Sequence, residues 1–354
     1  MKFQQINKSQ VDWEKLDGFE DRLVFQSREW LEFLAETQQA TPVVAELCDG
    51  SSTVGYFNGL MFRRFGVRLL GSPFPGWTTP SMGFNLLPGV ERWRALEALE
   101  RFAFQDLKCL HLEVADRYSR PADGLRVGFS CITYDCLQTD LGGSEEEVFS
   151  SLTSECRRKI RKAEKNGVQI EKTRDEHFAD DYFDQLTDVF AKQGLVPSFD
   201  RERTRKLIQH LLPTGRLLLL RARDPEGQCI GTGIYAAMNK VAEFWGNASF
   251  RSKQHLIPNE AIHWYAIRHW KEQGMDSLNW GPRTPFKEKL GGQSIPLPWF
   301  RKSRFAFVEK LRQTAAGAFE LKQNLLGKYG AVARGGITAH AMRRNISSKE
   351  CLNK

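Results

Sequence analysis

The sequence predicts an α+β protein built from two tandem copies of one domain, each a mixed, mostly antiparallel sheet flanked by helices. The first observation is an order of elements that occurs twice, namely helix, three strands, helix and strand. The second is a pair of similar hairpins, VVAELCDGSSTVGYFNGLMF and LLLRARDPEGQCIGTGIYAAM, in which apolar strands flank an acidic, glycine-containing turn. Chance similarity between the hairpins is the alternative explanation. With 354 residues, the chain is long enough for two ordinary domains.

In the first half, apolar periodicity separates helices from strands, and proline and glycine mark the boundaries. The long helix begins at a proline and is followed directly by an apolar strand. The predicted elements are a helix at 27–38, strands at 42–47, 53–62 and 67–72, a helix at 88–108 and a strand at 109–115.

The second half repeats this order with two helices in front of the strands. A turn of sequence DPEGQ and a tight Asn-Lys turn separate its three consecutive strands. The predicted elements are helices at 177–194 and 201–212, strands at 216–223, 229–238 and 241–250, a helix at 259–274 and a strand at 275–281.

A single amphipathic helix is predicted to join the halves over 143–168. Ser144 and Glu147 form a capping-box start, and Gly167 is a typical stop. An apolar stripe faces the core, and the opposite side is basic; that side holds Arg157, Arg158, Arg161, Lys162 and Lys165. Lys159 projects on the apolar side and must reach a cleft or water. The basic stripe is either a solvated surface or a rim that holds substrate phosphate.

The positive charge of the chain is concentrated at its end. The net charge is +8, and the segment 300–354 holds 12 Lys and Arg against 3 Asp and Glu. A basic tail at 311–354 either keeps the protein soluble or attracts phosphate, RNA or an anionic membrane surface. A hydrophobic share of 41% excludes a largely disordered chain.

The composition indicates a cytoplasmic protein without a bound metal. The sequence has no apolar run of about 18 residues and no secretory signal at its start. Seven cysteines without paired spacing suit a reducing compartment. Cys131 and Cys136 are the closest pair, but they lack a histidine nearby, and no HExxH or HxH motif occurs.

The strand at 241–250 is the first candidate for a reactive site. Strict alternation places Glu243, Trp245 and Asn247 on one face, which suits the wall of a cleft. Glu243 is a candidate general base if burial raises its pKa, or else a carboxylate at an exposed sheet edge. Asn259, at the start of the next helix, is either an N-cap or a ligand contact.

A loop of sequence PFKEKLGG is the second candidate. Lys287 offers a cation for a developing oxyanion or a phosphate, and Phe286 offers a stacking surface. An ordinary surface lysine is the alternative.

Together, three stretches of the second half resemble the GNAT acyltransferase fold; they are LTSECRRKIRKAEKNGVQIEK, HLIPNEAIHWYAIRHWKEQGMDSLNWG and PFKEKLGG. The duplicated form resembles the Fem family of peptidoglycan-bridge aminoacyltransferases and the related bacterial GNAT group linked to exopolysaccharide genes. The resemblance implies two GNAT-like domains, at 1–142 and 169–310. It also implies that Lys287, in the family's Phe-Lys motif, lies close to the transferred group, and that basic residues hold the phosphates of the acceptor.

Two departures from the family pattern bear on the acyl donor. The loop SKQHLIPNEA lacks the glycines with which ordinary GNAT enzymes hold the pyrophosphate of coenzyme A, and no charged heptad stretch forms the coiled-coil arm of some Fem enzymes. The donor is therefore expected to be a co-substrate, either acyl-CoA or aminoacyl-tRNA.

The first hypothesis is an acyl- or aminoacyltransferase that acts on an amine or hydroxyl of a cell-envelope precursor, peptidoglycan or polysaccharide. The alternatives are an acetyl-CoA-dependent N-acetyltransferase of exopolysaccharide biosynthesis and a non-catalytic ligand-binding protein. The expected partners are a phosphate-bearing precursor, tRNA and, peripherally, the inner membrane surface. Candidate substrate-binding residues are Phe286, Trp245, Asn247, Asn259, Arg157, Arg158, Lys159 and Arg161.

Overall fold

A computed structural model describes residues 1–64, 66–192 and 194–309, and the basic tail predicted at 311–354 lies outside the described residues. The predicted α+β class is confirmed. Within the described residues, thirteen strands form one mixed sheet that is flanked by helices.

The first half contains the predicted helices and strands with small changes at their ends. Its strands are β1 (Lys2–Gln5), β2 (Thr41–Asp49), β3 (Ser52–Arg64), β4 (Val67–Ser72), β5 (Phe84–Leu86), β6 (His111–Ala115) and β7 (Ser130–Asp140). Its helices are α1 (Trp13–Asp17), α2 (Arg28–Gln38), α3 (Arg92–Arg101) and α4 (Pro121–Arg126), and a π-helical turn at Phe102–Asp106 continues α3.

The second half follows the same order. Its helices are α5 (Glu145–Ser151), α6 (Ser154–Lys165), α7 (Phe178–Lys192), α8 (Arg201–Leu211), α9 (Pro258–Glu272) and α10 (Pro285–Glu288). Its strands are β8 (Gln169–Thr173), β9 (Leu217–Arg223), β10 (Cys229–Met238), β11 (Val241–Ser249), β12 (Ser277–Pro282) and β13 (Gln293–Ser303). In each half, an antiparallel meander leads through a long helix to a parallel pair, β4 with β6 and β11 with β12.

The last strand joins the two halves into one sheet. Strand β13 lies between β6 and β7 and pairs antiparallel with both of them. The order of strands is β1-β2-β3-β4-β6-β13-β7-β12-β11-β10-β9-β8, with β5 beside β3. The sheet runs through both halves without a break and so marks no boundary between domains. The domain boundaries at 1–142 and 169–310 therefore stay predictions.

Three hydrophobic clusters fill the two faces of the sheet. The shared cluster joins the halves where α2 packs on α8, and it buries Trp30 and Leu207 completely. Val43 and Val44 of β2 point into different clusters because neighbouring residues of a strand face opposite sides of the sheet. The other two clusters lie on the opposite face, one under α3 and one under α9.

The prediction of one joining helix was wrong, because the segment forms two helices, α5 and α6. Leu152 has an extended backbone with ψ 149°, and the hydroxyl of Thr153 accepts the backbone N–H of Cys156 as a new N-cap. Such a cap satisfies an N–H that a helix start leaves unpaired. The predicted capping box at Ser144 is present, and Gly167 has the left-handed φ of 73° expected of a helix stop.

We expect Phe300→Ala to lower the free energy of unfolding by about 3–5 kcal/mol, as measured by urea denaturation, because it opens a cavity in the core. Phe300 of β13 is fully buried in the hydrophobic cluster under α3, where its ring lies 6.4 Å from that of Phe129. The control is Leu125→Ala, whose side chain is 61% exposed, with an expected change within about 0.5 kcal/mol. If both substitutions lowered the free energy of unfolding equally, β13 would not be packed into the first-half core through Phe300.

Candidate functional site

The parallel strands β11 and β12 separate partway along their length. They pair at three positions, ending with Glu243 opposite Asn279. Beyond that point β11 follows β10 as far as Ser249, whereas β12 follows β7 as far as Pro282. Among residues 1–64, 66–192 and 194–309, no strand pairs with the backbone groups that face each other past Glu243, and the resulting opening is called the fork below.

Lys287 lies at the fork on the side of α9. Its Nζ is 5.4 Å from the ring centre of Phe244 on β11 and donates to the carbonyl of Pro282 on β12 at 3.1 Å. Thr284 caps the short helix α10 that carries Lys287. Gly281 has a φ of 71°, and a Cβ there would lie 3.9 Å from Nζ, so the chain turns close beneath the ammonium. Burial lowers the pKa of Lys287.

A buried histidine supports the Lys287 side of the fork. Nδ1 of His263 on α9 and the hydroxyl of Tyr235 form a hydrogen bond of 2.6 Å. The ring of His263 lies 5.4 Å from that of Phe286. Burial, followed by the charge of Lys287, lowers the pKa of His263 to about 3, so the ring is neutral at physiological pH. Its Nε2 is buried and has no hydrogen-bond partner within the described part of the chain.

Glu243 lies on the opposite face of the fork and is 1% exposed. Its Oε2 accepts from Nδ2 of Asn279 at 2.8 Å, and its Oε1 lies 3.8 Å from Nη1 of Arg117 without a hydrogen bond. Burial raises the pKa of Glu243 to about 7, although the charge of Arg117 and the amide of Asn279 both lower it. A carboxyl with a pKa near 7 can both accept and release a proton at neutral pH.

A β-bulge corrects the predicted face of Asn247. The register of β10 and β11 shifts at Trp245, so Ile234 pairs with Gly246 and Tyr235 with Phe244. Trp245 and Gly246 consequently both face Tyr182. Asn247 therefore points away from the face of Glu243 and Trp245, contrary to strict alternation. Trp245 is 7% exposed in the shared core, so the structure does not bring it to Lys287.

The first turn of α9 differs from its prediction. Ile257, with a φ of 67°, precedes the helix, and Asn259 is its second residue and not its N-cap. The Oδ1 of Asn259 is buried without a hydrogen-bond partner. The buried carboxylate of Glu260 lies 3.1 Å from Nζ of Lys159, so Lys159 of α6 reaches the start of α9.

The basic stripe of α6 divides into structural and exposed residues. Arg157 donates to the carbonyls of Ser150 and Leu152, and so it closes the end of α5. Arg158 and Arg161 are exposed, and the guanidinium of Arg161 lies 5.3 Å from the ring of Phe149.

Helix α6 also borders the Lys287 loop. Its Glu155 pairs with Lys289 at 3.0 Å, and the N–H of Thr153 donates to the carbonyl of Lys289. The start of the basic stripe therefore lies next to the fork.

Three site residues were missed by sequence reasoning, namely Arg117, Asn279 and His263. A signal existed for Asn279, because a polar residue inside the apolar strand SLNWG needs a buried partner. Arg117 follows strand β6 in another half of the chain, and no local pattern connects it to Glu243.

Among the residues that the structure describes, no three His, Cys, Asp or Glu side chains come together as metal ligands. No helix of that part of the chain is long and apolar enough to cross a membrane.

Comparisons with known proteins relate the second half to one domain family. The sequence model of the acetyltransferase (GNAT) domain matches residues 150–288, a range that contains the fork and Lys287. A search of curated proteins finds no match.

Solved structures with a similar fold extend over both halves. The crystal structure of FemX has a TM-score of 0.71 and 13% identity, over 88% of this chain and 99% of FemX. A conserved protein of unknown function from Bacteroides thetaiotaomicron has a TM-score of 0.54 and 12% identity, over 85% and 99% of the two chains. At these identities the likeness shows the fold alone.

We expect Glu243→Gln to remove a pH-dependent cost of folding. In the wild type, the carboxyl ionises near pH 4.5 when unfolded and near pH 7 when folded. The contribution of this carboxyl to the free energy of unfolding is therefore zero below pH 4.5, becomes more unfavourable as the pH rises to about 7, and is constant above that value. The free energy of unfolding of Glu243→Gln minus that of the wild type should therefore be about 3 kcal/mol larger at pH 8 than at pH 4.

The measurement is urea unfolding of both proteins from pH 4 to pH 8. A stability difference that stays the same over this range would show that Glu243 ionises normally.

Proposed function

We propose that this chain, an acyltransferase with the GNAT fold, transfers an acyl or aminoacyl group to an amine or hydroxyl of a cell-envelope precursor. The observation that carries the proposal is the fork, where a lysine ammonium and a carboxyl with a raised pKa flank the same opening from opposite faces. Acyl transfer from an activated ester requires mainly positioning, a cation for the oxyanion and an acceptor for one proton. The fork can supply all three.

Lys287 is proposed to stabilise the oxyanion. Its ammonium is held by the carbonyl of Pro282 and the ring of Phe244, so it needs little reorganisation when negative charge develops on the carbonyl oxygen. Phe286, packed against the neutral His263, keeps α10 in place and presents no competing charge.

Glu243 is proposed to take the proton of the nucleophile. Its Oε1 has no hydrogen-bond partner and can accept that proton. Because the side chain is buried, the proton passes directly from the nucleophile or over one bound water, and it is then available to the leaving group.

The acceptor is proposed to carry phosphate, as nucleotide-linked and lipid-linked envelope precursors do. Arg158 and Arg161 are exposed on the helix that borders the Lys287 loop, so they can contact phosphate oxygens beside the fork. Asn247 and Asn259 stay candidates for binding the uncharged part of a substrate. The six unpaired cysteines of the described residues suit a cytoplasmic reaction. Peripheral contact with the inner membrane is a further part of the proposal, since lipid-linked precursors lie there.

Two features of the first turn of α9 and one of the fork favour aminoacyl-tRNA over acyl-CoA as the donor. Pro258 at the first position of α9 has no N–H to offer a pyrophosphate. Lys159 pairs with Glu260 in the same turn at 3.1 Å, so its ammonium is already engaged and is not free for a pyrophosphate. Lys287 reaches across the fork from one strand to the other, where a thioester arm would otherwise lie.

Acetyl-CoA-dependent N-acetylation is the second candidate. The description of the matching family, an acetyltransferase domain, favours it. It requires coenzyme A to bind at a helix start that has one N–H fewer because of Pro258.

A donor assay tests these proposals. The purified protein is incubated with envelope precursors and either labelled aminoacyl-tRNA or labelled acetyl-CoA. We expect label in the product from tRNA. Transfer from acetyl-CoA alone would establish the second candidate. If neither donor gives a product, the chain is a ligand-binding protein and the proposed activity is wrong.

We expect Lys287→Ala to lower kcat by about a hundredfold or more, because the oxyanion loses its cation. The matched control is Lys289→Ala in the same loop, which breaks the exposed pair with Glu155 and should leave kcat within about twofold. Both rates come from the donor assay, and circular dichroism checks the fold. Full activity of Lys287→Ala would remove this residue from the mechanism.

A further inference from the structure

We propose that Arg117 is a positioning residue for the transfer reaction, through which the first half of the chain governs when Glu243 takes up a proton. The inference rests on the proposed role of Glu243. Arg117 lies outside the region 150–288 that matches the GNAT domain. The site of the second half would therefore be incomplete without the first half.

Arg117 and Glu243 face each other with two unpaired polar atoms. Nη1 of Arg117 and Oε1 of Glu243 are 3.8 Å apart, too far for a hydrogen bond. Both atoms are buried, and neither has a hydrogen-bond partner among the residues that the structure describes. Buried polar atoms without partners are costly and uncommon. Each atom is therefore available to a third group, such as the polar atom of a bound nucleophile.

The position of Arg117 is fixed from two sides. Its Nη2 donates to Oε1 of Gln138 on β7, and Gln138 lies opposite Asn279 in the register of β7 and β12. The preceding residue, Asp116, is buried and accepts from Arg92 at 2.7 Å. The guanidinium is thus held near Glu243 by the sheet that joins the halves.

Two groups oppose the effect of burial on the pKa of Glu243, namely the charge of Arg117 and the hydrogen bond from Asn279. Asn279 is neutral, and burial raises the pKa of both Tyr118 and Cys136, so these two keep their protons at neutral pH. Lys287 acts on Cys136 from the far side of the fork. The positive charge of Arg117 therefore stabilises the ionised form of Glu243. Its loss should leave the carboxyl protonated up to a higher pH.

A purely structural role for Arg117 predicts a different result. If the residue only held the halves together, its removal would lower stability equally at every pH. A positioning role predicts a change that depends on the ionisation of Glu243. The variant Arg117→Lys keeps the charge, and Arg120→Gln removes an exposed guanidinium from the same segment as a matched control.

The first experiment needs no substrate. For the wild type and each variant, the free energy of unfolding is compared with that of the same protein carrying Glu243→Gln, from pH 4 to pH 9. In the wild type this difference should level off near pH 7. In Arg117→Gln it should level off about one pH unit higher, whereas Arg117→Lys and Arg120→Gln should behave as the wild type. An unchanged curve for Arg117→Gln would overturn the proposal.

If Arg117→Gln does not fold, Gln138→Leu replaces it, because it removes the acceptor that anchors the guanidinium. The levelling point should again move to higher pH, and no movement would overturn the proposal.

The second experiment measures the rate of transfer against pH. With Arg117→Gln, the acid limb of kcat should move to higher pH by the same amount while the KM of the donor stays within about twofold. An unmoved limb would overturn the proposal. If no donor supports transfer even in the wild type, the proposed function fails, and the unfolding experiment still decides the role of Arg117.

Discussion

The pairing of β13 with both β6 and β7 is the constraint on which the rest of the structure depends. From β12 the chain crosses β7 to reach its place between these strands, and the crossing segment carries α10 and Lys287. The same pairing places the end of β6 beside the second half, so Arg117 comes within 3.8 Å of Glu243. One set of backbone hydrogen bonds thus joins the halves of the sheet and brings Arg117 close to Glu243.

The fork places opposite charges on opposite faces of the sheet. Each is partly or fully buried, so each has a shifted pKa, lowered for Lys287 and raised for Glu243. Burying a carboxyl costs stability unless a partner compensates, and here the partner charge is held just beyond hydrogen-bond distance. This incomplete compensation is typical of sites that exchange protons with a substrate.

The sequence predicted the elements well and their local irregularities poorly. Helix and strand order followed from periodicity, and the Phe286–Lys287 pair was recognised from its motif. The break at Leu152 was missed because the apolar spacing continues through it, although Thr153 and Ser154 are good N-cap residues. The bulge at Trp245 was missed because one extra residue in a strand leaves no compositional trace, and it reversed the face assigned to Asn247.

By itself, the sequence determined the α+β class, the repeated order of elements, the apolar and basic sides of the joining segment, and Glu243 and Lys287 as reactive candidates. All of these except Lys287 follow from spacing within about twenty residues, which local periodicity records. Lys287 was singled out by the Phe-Lys motif of the family that the second half resembles. The tertiary structure alone decided that β13 joins the halves, that Lys159 pairs with Glu260, and that Arg117 and Asn279 surround Glu243. These contacts connect residues far apart in the chain. Sheet register and burial, which only the complete fold fixes, bring them together.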